Sequence, residues 1–149
     1  VTAWHNRAPL VVTAGQQTRR MLALEPWLVN LDATELPRPY VKWSHEPARA
    51  EDVPGAIERA YHVAMTPPLG PTFVSIPMDD WKAEVPGRQA RQMHRQSHVD
   101  PIGIAAAAER LRNARNPLLI VGAGVDRAGA WEEAVALAER LIVKWKREM

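Results

Sequence analysis

Leu10-Val-Val-Thr-Ala-Gly-Gln-Gln-Thr-Arg19 begins as a short apolar run after Pro9, stops at Gly15 and opens into a polar turn. A near-continuous apolar run of this length suits a strand buried on both faces, as in parallel sheets. Its flanking Pro and Gly bound it to residues 10–14. Two further runs carry the same punctuation: Thr72-Phe-Val-Ser-Ile76 between Pro71 and Pro77, and Leu118-Leu-Ile-Val121 between Asn116-Pro117 and Gly122. Tyr40-Val-Lys-Trp-Ser44 alternates apolar and polar residues and reads as a strand nearer a sheet edge. Helical patterns lie between the strands. Over residues 51–65, Val53, Ile57, Tyr61 and Ala64 recur at helical spacing, Glu51 and Asp52 lie at the positive end, and Pro67-Pro68 stops the run. Asp100-Pro101 pairs an N-cap with a first-turn proline, and Ile104, Ala108 and Leu111 then form one face. A last helix is expected from about Ala128, with Trp131, Val135, Ala138 and Ile142 on a stripe. Strands alternating with helices make an α/β protein.

The 149 residues suit one ordinary domain or parts of two small ones. Apolar residues make up 46% and charged residues 24%, the proportions of a globular chain. No apolar run approaches the roughly 18 residues of a membrane span. Val1-Thr-Ala-Trp-His-Asn-Arg7 shows no signal-peptide pattern and no initiating Met, so a translation start at Val1 is not expected. The absence of Cys removes disulfides and thiolate metal sites and suggests a reducing, cytoplasmic setting. The net charge is +2, and the basic residues cluster as Arg88, Arg91 and Arg95 and as Lys144, Lys146 and Arg147. Without interleaved aromatic residues, these read as a solvated linker and a helix end, and nucleic-acid binding is not expected. Residues 83–99 are rich in Arg, Gln and His, carry little apolar periodicity and read as an interdomain linker. The roughly 50 residues beyond them offer one strand between two helices, too little to cover both faces of that strand.

Four motifs each admit two readings. The turn Thr13-Ala-Gly-Gln-Gln-Thr-Arg19 lies where open α/β sheets bind ligands, and Gly15 permits close backbone approach there. Its glutamines serve equally well to cap backbone groups or face a neighbouring subunit. Residues 22–31, with Trp27 and Leu28, are apolar enough to pack as core or to line a pocket. The carboxylates of Met78-Asp-Asp-Trp81 suit either Mg²⁺ or the capping of a turn, and no third acidic or amide residue is obviously convergent. Val121-Gly-Ala-Gly-Val-Asp-Arg127 resembles a dinucleotide fingerprint, but Arg127 stands where a third glycine belongs, which favours a close strand-to-helix turn. His94 and His98 are four apart without a third ligand, and His5, His45 and His62 read as isolated. No Ser with a matching His and acid stands out, nor any Gly-rich phosphate loop with a Lys.

Several strings resemble the benzoylformate decarboxylase branch of the thiamine-diphosphate-dependent 2-oxo-acid decarboxylases. These are Trp4-His-Asn-Arg-Ala-Pro-Leu-Val-Val-Thr-Ala-Gly-Gln-Gln-Thr-Arg19, Leu36-Pro-Arg-Pro39, Val41-Lys-Trp-Ser44 and Phe73-Val-Ser-Ile-Pro-Met-Asp-Asp-Trp81. Order and spacing match, strongly to about residue 82 and more weakly to about residue 141. The Gln-Gln-Thr-Arg string separates this branch from the acetolactate synthases of the same superfamily. The resemblance implies that residues 1–82 are the later part of a parallel-sheet pyrimidine-binding domain. It also implies that residues 83–99 are a linker and that residues 100–149 begin a Rossmann-like central domain. The activity implied is conversion of an aromatic 2-oxo acid to an aldehyde and CO₂, with thiamine diphosphate as electron sink and Mg²⁺ holding its diphosphate. The family's activating glutamate, its active-site serine and one histidine are expected upstream of Val1, and the Gly-Asp-Gly metal segment downstream of Met149. The resemblance therefore implies a partial chain that is inactive alone and does not hold the cofactor tightly. No catalytic, cofactor or metal residue carries over. Leu28 and Trp27 match positions lining the apolar substrate pocket, with Trp27 standing where the family has a smaller aliphatic residue. A homo-oligomer is implied, with a small 2-oxo acid as substrate. The helical pattern over residues 141–149 departs from the family, which turns there into another strand. Two other readings stay open: a non-catalytic α/β association module, and another thiamine-diphosphate enzyme of the superfamily.

Overall fold

The computed structural model describes the backbone of residues 1–89, 91–92 and 98–148, and the side chains of these as far as Leu141. His94, Arg95 and the side chains of Ile142, Lys144, Lys146 and Arg147 lie outside the described residues. The chain divides into two compact units, Val1–Arg95 and Gln96–Met149.

The first unit is built on three parallel strands, β1 (Val11–Gln16), β2 (Trp43–His45) and β3 (Thr72–Pro77), in the order β1-β3-β2. β3 pairs with both neighbours, Val11 and Trp43 both standing opposite Thr72. The central strand is the most deeply buried: Thr72 and Val74 are fully enclosed, and Phe73 and Ser75 nearly so. That is the position a continuous apolar run between two prolines is suited to fill. β1 runs two residues beyond the expected stop, because Gly15 and Gln16 remain in register with Ile76 and Pro77. β2 takes the edge position, as its alternating pattern indicates, but pairs only over Trp43–His45 rather than from Tyr40.

Two single helical turns, α1 (Thr2–His5) and α2 (Arg19–Leu22), precede the long helix α3 (Val53–Met65), which a 3₁₀ turn at Ala50–Asp52 leads into. The buried face of α3 is Ala56, Ala60 and Ala64, at i, i+4 and i+8, and Ala56 and Ala60 pack against Val74. Of the expected stripe of Val53, Ile57, Tyr61 and Ala64, only Ala64 lies on this face, and the other three are displaced from it by about one residue. Ile57 lies at the margin of the core, and Tyr61 is exposed. Alanines let the helix axis approach the sheet closely, and the larger side chains then flank the contact instead of forming it. The C-terminal end of α3 is closed by Lys42, whose ammonium donates to the Val63 carbonyl and, at 2.6 Å, to the Thr66 carbonyl. Burial of the Lys42 ammonium lowers its pKa.

The second unit contains α4 (Pro101–Asn113), α5 (Ala123–Arg127) and α6 (Trp131–Glu148). The Asp100 carboxylate accepts from the Ile102 and Gly103 amides at 3.0 and 3.2 Å, which is the N-cap expected at this Asp-Pro step. Ile104, Ala108 and Leu111 do share a face; with Leu137 and Leu141 of α6 they line an apolar crevice of about 490 Å³. Leu118-Leu-Ile-Val121 forms no strand, contrary to its apolar run. A strand exists only through its ladder, and no described neighbour offers one. Leu118 and Ile120 accordingly remain more than four-fifths exposed, and no described side chain of this unit is buried.

Candidate functional site

All three strands run the same way, so their carboxyl ends share one side of the sheet, where open α/β sheets place ligands. The polar residues gathered there form a closed network. Gln16, 5% exposed, donates through Nε2 to the Asn30 carbonyl at 2.5 Å, and its Oε1 accepts from the Asn30 and Gln17 amides. The Glu46 carboxylate, just beyond β2, accepts from the Ser75 hydroxyl at 2.5 Å and from Gln16 Nε2 at 3.5 Å. Gln17 Nε2 reaches the Trp27 carbonyl at 3.5 Å. The paired glutamines therefore clasp the backbone of the following loop, which is the capping reading of the turn.

Arg19 ties β1 to the end of β3. Its guanidinium donates to both Asp80 oxygens at 2.7 and 2.8 Å and to the Pro47 carbonyl at 2.8 Å, while its backbone amide donates to Asp79 at 3.0 Å. Hydrogen bonding to Asp80 raises the Arg19 pKa, against an opposing effect of burial. The Asp80 side chain is 4% exposed. Close approach at Gly15 is made by a protein side chain. A Cβ built there would stand 2.7 Å from Trp81 Cζ2, and the indole N–H donates to the Ile76 carbonyl at 3.2 Å. The Thr18 hydroxyl is buried without a partner among the described residues.

Trp27 and Leu28 stand together on the loop this clasp holds, 86% and 79% exposed, with Leu28 at φ +69°. Asn30, Glu46 and Ser75 were not legible as site residues. The available signal was position alone, since Glu46 and Ser75 fall at or near the ends of neighbouring parallel strands. At the second unit, α5 does open after Gly122, but without the strand that a dinucleotide turn requires.

This geometry and the sequence have close counterparts. The thiamine pyrophosphate enzyme central-domain family matches residues 104–144. A benzoylformate decarboxylase from Pseudomonas aeruginosa is 48% identical over 143 residues, covering 93% of this chain and 27% of the relative. The crystal structure of benzoylformate decarboxylase from Polynucleobacter necessarius superposes with a TM-score of 0.87 at 49% identity, over 93% of this chain and 26% of that one. The Rhodococcus jostii RHA1 thiamine diphosphate-dependent 4-hydroxybenzoylformate decarboxylase does so at 0.87 and 45% identity, over 93% and 27%. Over nearly all its length the chain is similar to thiamine-diphosphate-dependent enzymes, and to benzoylformate decarboxylases among them. It spans about a quarter of the length of the curated relative and solved structures it matches.

A Mg²⁺–diphosphate site needs several oxygen ligands converging on one point. The carboxylates at this end of the sheet are engaged otherwise, Asp79 and Asp80 by Arg19 and Glu46 by Ser75 and Gln16. Among the described residues no group of three or more His, Cys, Asp or Glu converges as a metal site. The described carboxylates at this end of the sheet therefore do not fit the metal-binding end of a cofactor site.

Proposed function

We propose that this chain is part of a thiamine-diphosphate-dependent decarboxylase that converts an aromatic 2-oxo acid, of the benzoylformate type, to an aldehyde and CO₂. The observation that carries the reading is the 48% identity to a benzoylformate decarboxylase over 93% of the chain. On this reading residues 1–82 are the later part of the pyrimidine-binding domain, residues 83–99 a linker, and residues 100–149 the start of the Rossmann-like central domain. The match of residues 104–144 to the central-domain family supports the last of these. Leu28 and Trp27 form part of the apolar wall around the substrate, and their exposure leaves both free to meet a ligand or another chain segment. Thiamine diphosphate with Mg²⁺ supplies the electron sink in the complete enzyme. The diphosphate and metal are held by residues outside this chain, and the working form is a homo-oligomer. The lack of cysteine supports a cytoplasmic setting; no helix among the described residues is long and apolar enough to cross a membrane.

The test is a chimera in which residues 1–149 replace the matching segment of the Pseudomonas aeruginosa relative. Decarboxylation of benzoylformate in preference to pyruvate is the expected result. Preference for pyruvate would move the chain to another branch of the superfamily. A soluble, folded chimera inactive on both would favour the non-catalytic association reading. In the active chimera, Trp27→Leu should change KM for benzoylformate by several-fold with a smaller change in kcat, because a pocket wall acts mainly through binding. The purified 149-residue chain alone is expected to release no CO₂.

A further inference from the structure

His45 and His62, isolated in the sequence, meet in the fold. Both line a cavity of about 510 Å³ along α3, with Trp43, Arg59, Arg88 and Arg91 among the other walls. None of the residues in the Gln16–Arg19 network lines it. Its size is that of small-molecule pockets and exceeds what a single ion fills.

The charges around it do not balance. Asp52 is engaged by Arg49, two hydrogen bonds at 3.1 Å making a neutral pair. Glu58 alone then faces three guanidiniums. It accepts from the Arg91 amide at 3.3 Å, but the Arg88 and Arg91 guanidiniums stand 3.8 and 4.0 Å away, beyond hydrogen-bonding range. Two positive charges are left over before either histidine is protonated. Arg59 lies with its guanidinium carbon 5.3 Å from the Trp43 ring centroid, and Trp43 stacks in turn on His45 at 5.2 Å. The aromatic face orients the guanidinium without using its N–H groups. Arg59 has no hydrogen-bond acceptor or carboxylate among the described residues, so this ordered fork remains available. Arg88 is brought in by a gap in the helix: a Cβ on Gly55 would stand 2.6 Å from Arg88 Nη1.

We propose that this cavity binds a small organic phosphate monoester, a dianion whose oxygens take the Arg59 fork on one side and the Arg88 and Arg91 charges on the other. A tetrahedral dianion accepts from several guanidinium N–H groups at once and matches the two surplus charges. The site is separate from the substrate wall of the decarboxylase reading, because neither Trp27 nor Leu28 lines it.

The test is a titration of the 149-residue chain with glycerol 3-phosphate, following the Arg59 side-chain N–H and Trp43 indole N–H by NMR. Saturable shifts with a Kd below about 1 mM are expected. Arg59→Gln should weaken binding about tenfold or more, since a charge-assisted bidentate contact is lost. Gly55→Ala should weaken it about threefold by displacing Arg88, while favouring the helix itself. The proposal is overturned by the absence of saturable shifts up to about 10 mM, by an unchanged Kd in Arg59→Gln, or by an equal response to potassium chloride at matched ionic strength. Should Arg59→Gln fail to fold, Gly55→Ala decides alone, and an unchanged Kd there overturns the proposal.

Discussion

Arg19 does three jobs with one side chain: it neutralises Asp80, caps the Pro47 carbonyl and joins β1 to the end of β3. Removing it strands a carboxylate that is 4% exposed, and breaking one side of such a pair costs far more than the pair's net worth. Arg19→Ala should therefore lower stability by about 3 kcal/mol, read as a fall in the urea midpoint at unchanged slope. Arg19→Lys should recover only part of this, because an ammonium does not reproduce the two-pronged contact. Asp52 provides a smaller, pH-dependent contribution. Its pKa is held below the ordinary 3.8 mainly by the Arg49 hydrogen bond. A carboxyl depressed in the folded state adds stability above its ordinary pKa and loses it as pH falls through the lowered value. Between pH 5 and 2, thermal scans of Asp52→Asn should show a shallower acid decline than those of the unaltered chain. At this scale the sequence identified the right residues more often than their partners. The acidic pair after β3 and the basic turn after β1 were both visible, but that one answers the other depends on 60 residues of intervening chain.

Among the elements, β3 was the most legible, since an apolar run between prolines in the middle of a sheet has few other options. β1 was nearly so, except at Gly15. There the glycine does not end the strand but lets Trp81 lie across it. Gly15→Ala should push the indole away and weaken its bond to the Ile76 carbonyl, costing about 1 kcal/mol. The check is the Trp81 indole N–H resonance, which should shift and exchange faster with solvent. α3 shows why a stripe of large apolar residues can point to a face adjacent to the buried one. Its contact with Val74 is made by Ala56 and Ala60, whose small size carries little weight in a hydrophobicity pattern. Leu118-Leu-Ile-Val121 shows the reverse case, a strand-like composition without the neighbour that would make it a strand.

The two units differ in how much each encloses. Every buried side chain described lies in Val1–Arg95, in the three strands and α3 or in the loops beside them. The unit Gln96–Met149 is helical but encloses no described side chain, and burial is what separates a stable element from a fraying one. Amide hydrogen exchange should show the β3 amides to be the slowest in the chain, with α4 and α6 faster by about a hundredfold or more. Equal protection in the two units would mean that the second finds cover in a partner or a second copy. By itself the sequence determined the α/β class, the resemblance to thiamine-diphosphate-dependent enzymes, the three parallel strands apart from their ends, and the cap at Asp100, because periodicity, punctuation and capping act over a few residues. Tertiary structure alone decided that the glutamine turn is a clasp, that Asp79 and Asp80 answer Arg19, and that His45, Arg59 and His62 border one cavity. Those contacts join residues distant in sequence, and their energy comes from burial and charge pairing that exist only once the sheet has formed.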